Sequence, residues 1–197
     1  MATVIETTAP TDRVYTTADL LALPDDGISR WLIDGRLVEV GMTRRNKHHS
    51  RIECRVSQLL SNWLDAQPEP RGSAYSGEAG VQLRPDPELT VGLDVVYLSP
   101  EVAARNESDE VSTIIVGIPT LAVEILSPND TVGATFSRGK ILLGAGIPVV
   151  WLIDPYMQTV TILRSGQSTV VLNEQQTLDG HPELPGFSVP VARIFQR

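Results

Sequence analysis

Two apolar runs limit what this chain can become. LAVEILS (121–127) and IPVVWLIDP (147–155) are nearly unbroken in hydrophobic residues. Runs of this kind read as strands buried on both faces. Between them lies TVGATFSRGKILLGAG (131–146), which reads as a helix rich in glycine. A strand, a helix and a second strand make a crossover between parallel strands, right-handed by the usual rule. Yet Glu124 stands inside the first run. A carboxylate in a doubly buried strand carries a large desolvation cost unless a cation compensates it. Either a buried Arg or Lys or a metal ion would do so.

The remaining elements fit around this unit. VYTTADLLAL (14–23) predicts a short helix with a threonine cap. In WLIDGRLVEV (31–40), two alternating arms flank Asp34-Gly35, a two-residue hairpin signal. Over 48–67, Ile52, Val56, Leu59, Leu60, Trp63 and Leu64 form one helical stripe, with His49 one turn ahead on the same side. Pro68 and Pro70 end that helix. SAYSGEAGVQLRP (73–85) and LTVGLDVVYLSP (89–100) read as strands, and EVAARNESDEV as a polar helix or loop. TVTILR and TVVLN read as a terminal hairpin or meander. The expectation is an α/β fold, with a mixed central sheet flanked by helices. Residues 14–197 form one domain behind a loose N-terminal segment, 1–13.

Composition removes several function classes. The chain has 197 residues and one cysteine, Cys54, so no disulfide framework or cysteine metal cluster forms within it. No basic-then-apolar leader is visible, and the longest apolar run, IPVVWLI, is too short for a bilayer, so the expectation is a cytoplasmic chain with no membrane partner. A net charge of −8 argues against coating nucleic acid over the whole surface. RRNKHHSR (44–51) is locally basic: Arg44, Arg45, Lys47 and Arg51, with His48 and His49, read as a candidate phosphate-binding surface or as an ordinary solvated helix entrance. CxxC, HExxH, GxSxG, GxxxxGK[ST] and GxGxxG are all absent from the sequence.

Acidic residues within strands remain. Strand parity puts Asp94, Val96 and Leu98 on one face, and Ala122, Glu124 and Leu126 on one face. If the two strands are neighbours, Asp94 and Glu124 point to the same side, and a divalent cation would relieve both. Mg²⁺ takes one or two carboxylates with carbonyl and water oxygens. Glu78, between Gly77 and Ala79 in SGEAG, is a candidate third carboxylate or an exposed edge residue. Asp130 reads as a helix N-cap and Asp154-Pro155 as a turn.

These pieces, in this order, resemble the Uma-two-type restriction endonuclease family of the PD-(D/E)XK nuclease superfamily. The matching stretches are LIDGRLVEV, HSRI, GEAGVQLRPDPELTVGLDVVYLS, VEILSPNDT, AGIPVVWLIDP with TVTILR, and LPGFSVPVARIF. The resemblance implies a restriction-endonuclease-like core and a Mg²⁺- or Mn²⁺-dependent endonuclease acting on DNA. It carries the metal ligands onto Asp94 and Glu124, and the carbonyl of Ile125 is expected to join them. The family's Glu ahead of the Asp strand falls on Glu78, and its helix-opening His on His49. Cutting both strands of a duplex needs two sites, which implies a homodimer.

The chain also departs from the family. Leu93 replaces the Pro of the PD element, and Trp31 stands where an acid often precedes the first hairpin strand. The superfamily lysine position falls on Leu126; the family takes its lysine from the next helix, where this chain aligns Arg138. Lys140 lies two residues on, and the two side chains point about 200° apart on a helix. Either Lys140 or Arg138 is expected beside the reacting phosphate. The rival expectation is a nuclease-fold module that binds nucleic acid and has lost catalysis.

Overall fold

The computed structural model describes residues 13–24, 26–42, 46–109, 111–128 and 130–196. The loose segment expected over 1–13 therefore falls outside the described residues, apart from Arg13. The first helix, α1 (Thr17–Leu21), opens with a capping box: Thr16 Oγ1 accepts from the Asp19 backbone and the Asp19 carboxylate accepts from the Thr16 backbone. Strands β1 (Ile28–Ile33) and β2 (Arg36–Met42) form the expected hairpin. Its turn residues Asp34 and Gly35 have φ of 51° and 74°, the left-handed pair that such a tight turn demands. Helix α2 (Lys47–Asp65) is capped by Asn46, whose side chain accepts from the His48 and His49 backbones.

Then follow β3 (Ser73–Pro85), β4 (Glu88–Leu98), α3 (Pro100–Glu107), β5 (Ile115–Val116) and β6 (Leu121–Ile125). Helix α4 (Val132–Gly144) leads to β7 (Val149–Asp154), β8 (Thr159–Arg164) and β9 (Val170–Leu172). Strands β10 (Thr177–Asp179) and β11 (Ser188–Pro190) pair separately, and α5 (Ala192–Phe195) ends the described chain. The large sheet runs β2-β1-β4-β6-β7-β8-β9, with β3 paired to β4 and β5. Among the described residues only β6–β7 and β3–β5 pair in parallel, so the sheet is mixed as expected. No helix among the described residues is long and apolar enough to cross a membrane.

Helices cover both faces of the sheet. On one, Ile52, Val56, Leu59 and Leu60 of α2 pack with Val95, Tyr97, Val123 and Trp151. The closing segment joins them through Phe187, Ile194 and Phe195. On the other, Val102 of α3 and Leu142 of α4 pack with Val96, Leu98, Ala122 and Leu152. Each such buried side chain contributes about 1.5–3 kcal/mol. The close pairing of β3 and β4 leaves no room at Gly72, where a Cβ would run into the Leu98 carbonyl oxygen and come 2.8 Å from the Tyr97 ring. Gly72→Ala is expected to lose about 2 kcal/mol in urea unfolding; an unchanged midpoint would contradict this packing.

A candidate active site at the end of β6

Strand β4 pairs antiparallel with β6 in the register Val95↔Val123, Val96↔Ala122, Tyr97↔Leu121. One step further sets Asp94 opposite Glu124, and the Ile125 backbone N–H donates to Asp94 Oδ2 at 2.7 Å. Both carboxylates are buried, at 4% and 6% exposure. The sequence therefore brings two anions to neighbouring backbone positions inside the sheet.

Their partners come from opposite faces. His49 Nε2 lies 3.1 Å from Asp94 Oδ2. A carboxylate only accepts, so this nitrogen carries the proton. His49 itself is 1% exposed, and its Nδ1 stands 3.7 Å from Glu53 Oε2, one turn along α2. Glu124, by contrast, is met from α4: Arg138 Nε donates to its Oε2 at 3.3 Å. The other arms of Arg138 reach Asp130 Oδ1 at 3.4 Å and Thr135 Oγ1 at 3.3 Å. Burial pushes the Arg138 guanidinium down, but the charges of Glu124 and Asp130 outweigh it and hold the group above its usual range.

The expectation that Asp94 shares a face with Val96 and Leu98 needs correcting. Val91 and Leu93 pack with Val96 and Leu98, whereas Val95 and Tyr97 pack under α2. The alternation of β4 thus breaks at Asp94. The cause lies in β3, whose register against β4 jumps between Ser76↔Val95 and Ala79↔Leu93. Gly77 and Glu78 together oppose Asp94, a bulge with φ of 90° and 60°.

The other expected site residues scatter. Glu78 leans across Gly92, where an added Cβ would sit 3.0 Å from Glu78 Oε2, and it accepts from Ser29 Oγ at 3.4 Å. Among the described residues no three His, Cys, Asp or Glu side chains group as a metal-holding cluster. Lys140 is exposed, its ammonium 5.2 Å over the Phe136 ring, away from Arg138 and the carboxylates. Arg44 and Arg45 lie outside the described residues; Lys47 is exposed and Arg51 half-buried. His49 does not belong with that basic surface, because it is sealed against Asp94. Asp130 is not the N-cap of α4: Thr131 is, its Oγ1 accepting from the Ala134 backbone at 3.1 Å, and Asp130 serves Arg138 instead. Trp31 is buried and its indole N–H donates to the Gly92 carbonyl at 3.2 Å. Apolar periodicity does not single out Glu53; its i,i+4 spacing from His49 is the signal that could have found it.

The family model described as "Uma2: Putative restriction endonuclease" matches residues 17–192. The chain belongs to the Uma2 family. Its fold matches the crystal structure of a "putative nuclease belonging to DUF820" from Anabaena variabilis, with a TM-score of 0.75 and 22% identity over 91% of this chain and 97% of that one. No curated protein sequence matches this Uma2 chain.

Proposed function

We propose that this Uma2 protein is a divalent-metal-dependent endonuclease hydrolysing DNA phosphodiester bonds. The observation that carries the reading is the placement of Asp94 and Glu124 at neighbouring, buried positions, with the buried Arg138 guanidinium on Glu124. The chemistry of the donors suits a hard cation: Asp94 and Glu124, at adjacent positions on paired strands, would supply two carboxylates, and the Ile125 carbonyl and water would complete the oxygen set that Mg²⁺ or Mn²⁺ takes. Glu78, one strand step away, would assist through water. Bound there, the cation supplies charge neutralisation at the scissile phosphate and acidifies the attacking water.

The chain's own residues do the rest. The Ile125 N–H and His49 fix the Asp94 carboxylate in one orientation. Arg138 stays charged at every working pH, so it neutralises developing negative charge and cannot act as a base. Lys47 and Arg51, one turn apart on α2, hold the phosphate backbone, joined in sequence by Arg44 and Arg45. A homodimer acting on DNA in the cytoplasm completes the proposal.

One observation favours a second reading, a nuclease fold that binds nucleic acid without cutting it. The chain contains two lysines, Lys47 and Lys140. Both are exposed, and neither stands with Glu124. Nicking of supercoiled plasmid in Mg²⁺, Mn²⁺ and EDTA decides between them. The endonuclease reading expects nicking in either metal and none in EDTA, at the same rate in Lys140→Ala as in the wild type. Wild type without nicking in both metals would leave only the second reading.

A further inference from the structure

Strands β6 and β7 run parallel with Ile125 opposite Ile153, so the turn after β7 emerges at the same end of the sheet as the two carboxylates. That turn is held rigidly. Asp154 Oδ1 accepts from the Tyr156 backbone at 2.8 Å and from Met157 at 3.0 Å. The Tyr156 hydroxyl accepts from Asn46 Nδ2 at 3.3 Å, and Asn46 caps the helix that delivers His49 to Asp94. The His48 ring lies 6.5 Å from the Tyr156 ring, tilted by 55°. Despite these anchors Tyr156 is 53% exposed and Met157 73%. Lys47, exposed, stands in sequence between Asn46 and His48, the two residues that meet Tyr156, in a chain whose net charge is −8. An aromatic ring held in place, left open to solvent and with a second ring beside it is what an unpaired nucleobase stacks on. A paired base has both faces covered by its neighbours and offers none to such a ring.

We propose that Tyr156, with His48 beside it, is a stacking platform for an unpaired nucleobase at the rim of the carboxylate site, so that the substrate is nucleic acid with a single-stranded segment. This rests on the nuclease reading and names its substrate class.

The test is binding to the full chain in EDTA, by fluorescence anisotropy, so that cleavage plays no part. The probes are a labelled single-stranded DNA, the RNA of the same sequence, and the DNA duplex. Tyr156→Ala is expected to weaken single-strand binding about tenfold or more, while Tyr156→Phe, which keeps the ring, binds as the wild type does and the duplex arm does not change. Whichever single strand shows the loss identifies the sugar. Equal binding by Tyr156→Ala and wild type on both single strands, or an equal loss on single strand and duplex, overturns the platform and leaves the nuclease reading standing. Wild type that binds none of the three probes overturns the platform, and nicking in Mg²⁺ or Mn²⁺ decides the nuclease reading separately.

Discussion

Asp94→Asn is expected to abolish metal-dependent nicking while leaving the protein folded. An asparagine carbonyl oxygen can still accept from the Ile125 N–H, which donates at 2.7 Å, so the local ladder survives. What disappears is the negative charge. A cation site that loses one of two carboxylates loses several kcal/mol of transition-state stabilisation, on the order of a thousandfold or more in rate. Asp94→Ala removes more: it strands a buried N–H and the His49 imidazole, at about 1–3 kcal/mol each. The pair separates chemistry from structure. Both variants should fail to nick, and only the alanine should melt markedly lower. Nicking by Asp94→Asn at the wild-type rate would remove Asp94 from the reaction.

Part of this site and its fold is legible in the amino-acid sequence. The hairpin at Asp34-Gly35, the stripe of α2 and the β6–α4–β7 crossover follow from periodicity and turn chemistry, which local sequence carries in full. Glu124 stands out because its strand has no other polar side chain. The burial of His49 follows from its place on the α2 stripe, but its partner does not. That partner depends on the Gly77–Glu78 bulge in β3, and a bulge in a neighbouring strand leaves no periodic trace in the helix. The short strands β5, β10 and β11, of two or three residues, are set by tertiary pairing rather than pattern. Asp130 illustrates the same gap: an acid one residue ahead of α4 fits a cap as well as an ion pair, and only the inward turn of Arg138 decides.

Arg138→Ala should destabilise the metal-free protein by about 3–5 kcal/mol, because it leaves the buried Glu124 carboxylate without its guanidinium. For a chain of this size each kcal/mol shifts the melting temperature by about 2–4 °C. The guanidinium is held above its usual range when folded, so its contribution is complete below the ordinary arginine range and fades only as pH rises through it. The wild-type-to-variant difference from this group is therefore constant across neutral pH. If Asp94 and Glu124 bind a divalent cation, Mg²⁺ or Mn²⁺ takes over the compensation that Arg138 gave. The melting temperature of Arg138→Ala should then rise more with added metal than that of the wild type, in which guanidinium and cation compete for the same carboxylate. Adding Glu124→Gln to Arg138→Ala removes the buried charge itself and should restore stability while abolishing the response to metal. Equal metal responses in wild type and Arg138→Ala would mean that Glu124 is held for structure alone, with its arginine as its permanent partner.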